Sequence, residues 1–593
     1  MFQSFSEPSH PEQGPPRLAA LRQVMADEGL DGFIIPRADA HQGEYVAPRD
    51  DRLSWLTGFT GSAGFCVALA ESAGIFVDGR YRVQVRSQVA DVFTPVDWPE
   101  TTLGAWIAKQ VPAGSVIGFD PWLMTLDQLR DLKKQVGDIE LRRVSNLVDR
   151  IWDDQPKPPA APAFVQPVSL TGKAHGEKIT RLAQTLEPAT AAVLTLPDSI
   201  CWLLNIRGND VPRTPFLHAF AVLHDSGEVT LFVDEQKVAN LGDHLGSNVR
   251  VAPVDTFLSV IASLNGPVLI DPASCPVIVA DTLETARIEL IEARDPCALP
   301  KASKTDVELD GARAAHLRDG AAMARFLGWL DSQPAGSLTE IDVVTRLEQE
   351  RAETGQLRDI SFDTIAGAGE HGAIVHYRVT ESSNRKVEHG LLLVDSGGQY
   401  VDGTTDITRT VAIGQPRDEE RRAFTLVLKG MIAMSRVRWP KGLAGRDLDA
   451  LARVALWEHG MDYGHGTGHG VGSYLSVHEG PQRLARTGTV PLAPGMILSN
   501  EPGFYKPGAF GIRIENLLVV QEAPALPDQT VPDMLCFETL TFAPIDTSLV
   551  DTELLTRVER DWLNAYHADV QSRIGPLVDR DVASWLTRVC API

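Results

Sequence analysis

The amino-acid sequence predicts two related α/β domains followed by a larger α+β domain. Its 593 residues suffice for about three or four domains of roughly 150 residues each. Five prolines between 153 and 168 disfavour a helix and favour an extended linker between two domains. Short motifs recur in order on both sides of this linker, and from about residue 303 the pattern changes to long helices. These three observations give the predicted order of domains.

The first domain is predicted at 17–155, after a polar and proline-rich stretch at 1–16 that we expect to be a flexible arm. Residues 17–29 have the periodicity of an amphipathic helix, and DGFIIP at 31–36 is typical of a short buried strand. GFCVALAESAGIFVD at 64–78 predicts a hairpin across a Glu-Ser-Ala-Gly turn.

The second domain, predicted at 163–302, repeats motifs of the first. RLSWLTGF at 52–59 resembles SICWLLNI at 199–206, and the hairpin end Phe76–Asp78 resembles Phe232–Asp234. GFDP at 118–121 resembles LIDP at 269–272. Three matches in order indicate two copies of one domain type. Chance similarity among apolar strands is the alternative.

The third domain, predicted at 303–593, opens with a long helix in VELDGARAAHLRDGAAMARFLGWLDSQ, where apolar residues recur at helical spacing. The segment from Ser337 to Glu340 matches the capping box that precedes a second helix. Two more helices are predicted at about 417–436 and 445–460, and a glycine-rich region follows.

Composition excludes several classes of protein. A content of 44 % hydrophobic and 22 % charged residues excludes wholesale disorder. The formal charge of 55 − 78 = −23 argues against non-specific binding to nucleic acid or anionic membranes. The six cysteines form no C-x-x-C pair, and we see neither a signal peptide nor an apolar run of about 18 residues. We therefore expect a cytoplasmic protein without a membrane span.

Carboxylates in LLLVDSGGQYVDGTTDITRT, 391–410, are the first candidate functional residues. A buried strand ends on Asp395, and the returning arm carries Asp406, so the two can converge near the end of a hairpin. Turn capping explains Asp402 well. It explains Asp395 poorly, because a carboxylate that closes an apolar strand needs a partner.

A second segment, GHGTGHGVG at 464–472, has glycine at every other position. Such a backbone can approach a substrate or a metal closely while His465 and His469 point at it. A phosphate-binding loop is the competing interpretation, but no lysine follows. Glu501 precedes a Pro-Gly turn, and strand alternation places Glu515 on the same face as Arg513.

These candidates together suggest a metal centre with four carboxylates and one imidazole: Asp395, Asp406, His469, Glu501 and Glu515. So dense a carboxylate cluster requires cations to neutralise it. The donor set suits Mn²⁺, Co²⁺, Fe²⁺ or Zn²⁺ and disfavours a thiolate-type site. Two metals roughly 3.5–4 Å apart can bind one water and lower its pKa towards about 7.

Four segments together resemble the pita-bread metallopeptidases, and more narrowly the three-domain cytosolic Xaa-Pro aminopeptidases: DSGGQYVDGTTDITRT, HGTGHGVGSYLSVHEGP, SNEPGFY and GIRIEN. PRADAHQGEYVAPRDDRLSWLTGFTGSAG, LLNIRGNDV and DWLNAYH extend the resemblance over nearly the whole chain. It implies two creatinase-N-like α/β domains followed by a C-terminal pita-bread catalytic domain. The implied reaction is hydrolysis of the bond between any N-terminal residue and a following proline, by a water that two divalent metals activate.

The resemblance also implies a role for each candidate. Asp395 would bind one metal, and Asp406 and Glu515 would bridge both. His469 and Glu501 would complete the second site, with Glu501 also carrying the proton. His376 and His478 would be catalytic residues that contact the substrate main chain. His465 and Tyr505 would line the proline pocket, and Arg513 would pair with a ligand carboxylate.

Metal identity, assembly and two rival functions follow from the same resemblance. It implies Mn²⁺ as the metal and a homodimer as the assembly. One rival is a prolidase, which shares the ligands but acts only on Xaa-Pro dipeptides. The other is a catalytically inactive pita-bread binding scaffold, a class that usually has lost metal ligands; here all five are present.

Overall fold

The computed structural model describes residues 1–593. Contacts divide the chain into two compact units. The α/β unit comprises Pro8–Val168 and Lys173–Lys301, and the C-terminal unit comprises Met1–Glu7, Ser169–Gly172 and Ala302–Ile593. None of the helices combines the length and the apolar composition that crossing a membrane requires. The limits of the three domains remain predictions.

The first half of the α/β unit contains one six-stranded sheet flanked by helices. Its strands are β1 (Gly32–Pro36), β2 (Phe65–Leu69), β3 (Ala73–Val77), β4 (Thr94–Asp97), β5 (Val116–Phe119) and β6 (Glu140–Arg143). Its helices are α1 (Gly14–Asp27), α2 (Arg52–Thr57), α3 (Val85–Gln88), α4 (Leu103–Gln110) and α5 (Leu126–Val136), with 3-10 turns at Pro11–Gln13 and Pro48–Asp50. The predicted first strand and hairpin are β1, β2 and β3.

The second half contains another six-stranded sheet. The strands of this part of the chain are β7 (Phe164–Val165), β8 (Ala191–Leu194), β9 (Ile206–Arg207), β10 (Phe220–His224), β11 (Val229–Phe232), β12 (Val249–Ala252), β13 (Val268–Ile270) and β14 (Leu290–Glu292). The helices are α6 (Val168–Thr171), α7 (His175–Ala183), α8 (Pro197–Leu204), α9 (Glu235–Val238), α10 (Gly242–Leu245), α11 (Phe257–Ile261), α12 (Val277–Thr285) and α13 (Ala298–Ala302), with a 3-10 turn at Val254–Thr256.

The two six-stranded sheets have the same topology. Their strand orders are β4-β3-β2-β1-β5-β6 and β12-β11-β10-β8-β13-β14. In both, the first strand of the copy pairs antiparallel with the second and parallel with the fifth. The predicted duplication is therefore confirmed.

Equivalent segments of the two copies also contact each other. Thr125 and Pro276, which stand at the same distance after GFDP and LIDP, form an antiparallel bridge. Beside it, the Leu126 amide donates to the Cys275 carbonyl at 3.1 Å and the Val277 amide to the Met124 carbonyl at 2.9 Å. Each bond is the counterpart of the other, so a local two-fold axis relates the copies here.

The C-terminal unit is an α+β structure in which short sheets pack against long helices. The helices are α14 (Asp306–Asp331), α15 (Glu340–Ala352), α16 (Asp418–Arg436), α17 (Gly445–Leu448), α18 (Val454–Trp457), α19 (Arg557–Ile574) and α20 (Arg580–Val589). The 3-10 turns are Gly369–Ala373, Asp449–Ala452, Thr547–Leu549 and Gly575–Leu577. One apolar core joins α16 and α19 to Phe510 and Ile512.

Fourteen strands form the sheets of this unit. They are β15 (Asp359–Ile360), β16 (Ile365–Ala368), β17 (Gly390–Ser396), β18 (Gly398–Tyr400), β19 (Gly403–Thr404), β20 (Ile407–Ile413), β21 (Trp439–Pro440), β22 (Gly468–His469), β23 (Arg483–Leu484), β24 (Ile497–Asn500), β25 (Gly503–Lys506), β26 (Phe510–Arg513), β27 (Asn516–Glu522) and β28 (Met534–Thr539). The sheet orders are β16-β17-β20, β21-β28-β27-β24 and β15-β18-β19, with the pairs β22-β23 and β25-β26.

Two helical predictions need correction. The capping box of α15 uses Thr339 and Asp342. Glu340, predicted to cap, is fully buried and accepts a 2.8 Å hydrogen bond from the Tyr377 hydroxyl. The helix predicted at 445–460 is divided into α17, a 3-10 turn and α18. The break lies where the buried Asp449 turns inward and accepts a 2.6 Å bond from Thr467.

The first sixteen residues, predicted as a flexible arm, are held by contacts that the sequence does not reveal. Residues 11–16 already belong to the first 3-10 turn and to α1. Gln3 is only 3 % exposed, because its side chain bonds to the backbone of Thr364.

Candidate metal centre

Two neighbouring strands bring the aspartates to one end of a sheet. β17 and β20 pair antiparallel, with Asp395 opposite Thr408. Asp395 is the last but one residue of β17, and Asp406 directly precedes β20. Since the two strands are neighbours, both carboxylates lie at the same end of the sheet, as predicted. The intervening residues form β18 and β19 in another sheet rather than a simple turn.

The glutamates occupy the equivalent position in a second sheet. Glu501 directly follows β24, and Glu515 directly precedes β27. These strands pair antiparallel with Asn500 opposite Asn516, so the two glutamates lie at one end. The single strand predicted through Glu515 is wrong, since β26 ends at Arg513 and β27 belongs to a different sheet.

His469 presents one ring nitrogen to this cluster. Its Nδ1 donates to the Gly470 carbonyl at 2.9 Å, which leaves Nε2 without a proton in the neutral ring. Nε2 lies 3.5 Å from Asp406 Oδ2 and 3.4 Å from Glu501 Oε1. One ligand atom each of Asp406, His469 and Glu515 lies within 4.8 Å of the others. The geometry therefore suits a shared cation.

Burial raises the pKa of three of the carboxylate candidates, Asp395, Glu501 and Glu515. Burial, together with the charges of Asp406 and Glu501, raises the pKa of Asp395 to about 6, although Arg513 opposes the shift. Burial also raises the pKa of Glu501, and it raises that of Glu515 far above its ordinary value. Such shifts are expected where several carboxylates share a space from which water is excluded.

The pKa of His469 is shifted in the opposite direction to that of an ordinary buried histidine. Burial alone would lower its pKa, but the hydrogen bond to Asp406 and the charge of Glu501 outweigh burial and raise the pKa to about 9. The site thus favours positive charge at the very position where a cation would bind.

Within the site, three buried carboxylate oxygens have no hydrogen-bond partner: Asp395 Oδ1, Asp406 Oδ1 and Glu515 Oε1. A buried acceptor without a partner costs roughly 1–3 kcal/mol. Their second oxygens are engaged, since Arg513 donates to Asp395 Oδ2 and Thr408 to Glu515 Oε2. In Asp395 and in Glu515, one carboxylate oxygen is therefore held in place while the other is left for a cation. The donor set fits divalent metals.

Thr408 and Ser499 are site residues that sequence reasoning missed. The Thr408 hydroxyl donates to Glu515 Oε2 at 2.7 Å and accepts from Arg513 Nε at 3.1 Å. The Ser499 hydroxyl donates to Glu501 Oε1 at 3.1 Å and accepts from the His469 amide at 2.9 Å. A signal existed: each lies two residues from a ligand candidate, and strand alternation puts i and i+2 on one face.

His465, Tyr505 and Arg513 form a connected chain. Arg513 Nη1 donates to the Tyr505 hydroxyl at 2.8 Å, so that hydroxyl donates in turn to His465 Nε2 at 2.8 Å. Burial raises the pKa of Tyr505 to about 12, and the phenol therefore stays neutral. The His465 and Tyr505 rings meet at 62° with centroids 5.5 Å apart. The structure brings these three predicted residues together beside Asp395.

The two remaining histidines lie on loops around the cluster. The His478 ring packs against His469 at 81°, with centroids 4.3 Å apart. His376 is half-buried in the turn after the 3-10 helix Gly369–Ala373. The carbonyl of its neighbour Val375 accepts from Arg513 Nη1 at 3.4 Å, so this turn lies against the Arg513 side of the site.

The alternating glycines serve packing inside the fold. A Cβ at Gly468 would lie 1.8 Å from the Ser499 carbonyl oxygen, and one at Gly470 would lie 2.1 Å from that of Glu479. Both positions therefore admit only glycine. At these two positions the close approach that the glycines permit is to neighbouring protein backbone, and not to a substrate or a metal as the sequence suggested.

Four family models match successive parts of the chain. Two describe a creatinase/prolidase N-terminal domain and match residues 17–151 and 154–308. Metallopeptidase family M24 matches residues 310–522, and the C-terminal region of peptidase M24 matches 533–593. The duplicated α/β half and the pita-bread half predicted from the sequence are confirmed.

Full-length relatives are similar over almost all of the chain. A probable Xaa-Pro aminopeptidase P of Aspergillus fumigatus is 39 % identical, over 97 % of this chain and 92 % of its own. Aminopeptidase P2 of Arabidopsis thaliana is 39 % identical over 97 % and 88 %. The crystal structure of X-prolyl aminopeptidase from Caenorhabditis elegans, described as a cytosolic enzyme with a di-nuclear active site, has a TM-score of 0.92. It is 35 % identical and covers 98 % of this chain and 100 % of its own.

Proposed function

The chain belongs to metallopeptidase family M24, and on this premise we propose that it is a metal-dependent aminopeptidase that hydrolyses the bond between an N-terminal residue and a penultimate proline. The relatives similar over full length are named for this activity. The observation that carries the proposal is the buried convergence of Asp406, His469 and Glu515, with unpartnered oxygens on both carboxylates. Converging buried carboxylates whose oxygens lack hydrogen-bond partners are stabilised when cations neutralise them.

Five residues are proposed to hold two divalent metals. Asp395 would bind one, Asp406 and Glu515 would be shared by both, and His469 with Glu501 would complete the second. When bound, the two cations lower the pKa of a water and polarise the scissile carbonyl. We propose Mn²⁺ as the native metal on the ground of the family resemblance alone, because the donor set suits Mn²⁺, Co²⁺, Fe²⁺ and Zn²⁺ alike.

Glu501 is proposed to carry the proton. Its Oε1 accepts from Ser499 and lies 3.4 Å from His469 Nε2, so the carboxylate is fixed at the edge of the cluster. Burial raises the pKa of Glu501, which makes it a better proton acceptor. It takes the proton that the attacking water loses and returns it to the proline nitrogen as the peptide bond breaks. Proline then leaves as a secondary amine.

The surrounding side chains are proposed to position the peptide. His376 and His478 donate hydrogen bonds to the substrate main chain and to the oxygen that gains negative charge in the transition state. The rings of His465 and Tyr505 form a wall for the proline side chain. Arg513 holds both Asp395 and Tyr505, and so fixes the metal site relative to that wall.

Location and assembly are further proposals. We propose a cytoplasmic protein, in keeping with the cytosolic C. elegans relative. We also propose a homodimer, which rests on the family resemblance and is tested by sedimentation analysis of the purified protein.

Three peptides separate the proposed function from its rivals: Ala-Pro-Ala, Ala-Pro and Ala-Ala-Ala, each assayed with Mn²⁺-loaded protein. An Xaa-Pro aminopeptidase cleaves Ala-Pro-Ala and spares Ala-Ala-Ala. Cleavage of Ala-Pro alone would establish a prolidase. No cleavage of any of them with Mn²⁺, Co²⁺, Fe²⁺ or Zn²⁺ would favour the binding scaffold.

A further inference from the structure

The segment Phe2–Glu7, here named the N-terminal strap, is anchored firmly to the C-terminal unit. The Gln3 side chain pairs with both backbone groups of Thr364: it accepts from the amide at 2.8 Å and donates to the carbonyl at 3.3 Å. The amides of Phe2 and Gln3 both donate to the buried carboxylate of Glu348. Thr364 directly precedes β16 and Glu348 lies on α15, so the beginning of the strap is bonded to regular secondary structure.

The far end of the strap is bonded to residues 369–384, here named the His376 loop, which begins with the 3-10 turn Gly369–Ala373 and is otherwise irregular. The Phe5 carbonyl accepts from the Glu381 amide at 2.8 Å. Glu7 Oε2 accepts from the hydroxyls of Ser382 at 2.9 Å and Thr380 at 3.1 Å. The Phe5 ring also packs on the apolar core beneath β16. Backbone, side chain and apolar contacts therefore connect the strap to this loop.

The His376 loop pairs with no strand of the sheets, so it depends on side-chain hydrogen bonds and on its backbone bond to Phe5. On its inner side the buried Glu340 accepts from Tyr377 at 2.8 Å and from His371 Nδ1 at 2.9 Å. Val375 is bonded to Arg513 at the metal site. The stretch 378–382 lies just beyond these ties, and its partners in the strap are Ser4, Phe5 and Glu7.

We propose that the N-terminal strap positions the His376 loop, with Gln3 as the anchor and Glu7 as the tie, so that His376 is held ready for substrate. Ordering an irregular loop costs backbone entropy, and contacts formed before substrate arrives reduce what binding must supply. The catalytic part of this inference rests on the proposed function, whereas the mechanical link between strap and loop does not.

Full-length variants test the strap in two ways. Gln3→Ala and Glu7→Ala remove the anchor and the tie separately, and Glu7→Gln keeps an acceptor oxygen. Ser6→Ala is the matched control, because Ser6 is exposed on the same segment. The amide hydrogen-exchange rates of residues 374–384 measure directly how well the loop is ordered. Steady-state kinetics on Ala-Pro-Ala, in the wild-type and His376→Ala backgrounds, measure whether the strap substitutions act through His376.

Faster exchange confined to 374–384 is expected in Gln3→Ala and Glu7→Ala, with wild-type exchange in Ser6→Ala and Glu7→Gln. In the wild-type background, Gln3→Ala and Glu7→Ala should each lower kcat/KM on the order of tenfold. In the His376→Ala background the same substitutions should lower kcat/KM less than about twofold, because two changes that act through one residue are not additive. Unchanged exchange in both Ala variants, or an equal loss in the His376→Ala background, would overturn the proposal. If the wild-type protein cleaves no peptide, the proposed function fails while the exchange result still decides the strap.

Discussion

The hydroxyl of Thr408 donates a 2.7 Å hydrogen bond to Glu515, 107 residues further along the chain. The same oxygen accepts from Arg513, which in turn donates to Asp395. One hydroxyl thus fixes a proposed bridging carboxylate and the arginine that holds a second carboxylate. Partners of this kind orient metal ligands, and their loss typically weakens metal binding or activity 10–100-fold.

Thr408→Val is therefore expected to weaken metal binding and kcat/KM by roughly 10–100-fold while preserving side-chain volume. Without the hydroxyl, Glu515 Oε2 and Arg513 Nε both lose a buried partner. Metal affinity, measured by competition with a chelator, checks the prediction. Thr408→Ser retains the hydroxyl and serves as the control; equal affinity in Val and Ser variants would contradict the assigned role.

Glu515→Gln is expected to stabilise the metal-free protein at alkaline pH. The raised pKa of Glu515 means that the folded, metal-free protein holds a proton that the unfolded chain releases. The resulting stability is fully present below the ordinary pKa of 4.5 and is lost as pH rises through the folded-state pKa. Gln is neutral throughout, so at pH ~8 the variant should gain about 2–4 °C in thermal midpoint over metal-free wild type.

The gain should vanish well below pH 4.5, at about pH 3, where Glu515 is protonated in both states. With metal present the order should reverse, because wild type binds its cations more tightly and gains stability by mass action. Calorimetry of both forms at both pH values tests the reversal. A variant that is less stable than wild type whether or not metal is bound would argue that Glu515 is merely structural.

His478→Ala is expected to lower kcat on Ala-Pro-Ala by roughly 10²–10⁴-fold. The ring packs against His469, so it is close enough to act on a peptide bound at the metals. Metal content should remain at the wild-type level, since His478 is not a proposed ligand. An unchanged kcat would leave His478 with a packing role only.

The sequence allowed the fold and the convergence of the candidate carboxylates to be predicted because their signals are local or repeated. In β17 an apolar run leads to Asp395, and the short strand β24 ends directly before Glu501, so the strand pattern indicated both carboxylates. The duplication was visible because GFDP and LIDP each begin at the end of the equivalent strand, β5 in one copy and β13 in the other.

Other features depend on partners that are distant in sequence. Glu340 matches a capping pattern, yet its burial beneath Tyr377 decides its role. Gln3 is an ordinary polar residue until Thr364 supplies both backbone partners. The sequence does not show why glycine is needed at Gly468 and Gly470. Only the structure shows that neighbouring backbone lies where a Cβ would stand. Such long-range contacts carry no local periodicity.

The most direct test of a dinuclear Xaa-Pro aminopeptidase is a titration of Mn²⁺ into metal-free protein while hydrolysis of Ala-Pro-Ala and bound metal are both measured. The proposal predicts no hydrolysis without metal, activity that rises as cations bind and saturates at two per chain, and none in Asp406→Asn. Hydrolysis of Ala-Pro-Ala at the full rate by the metal-free protein would contradict it.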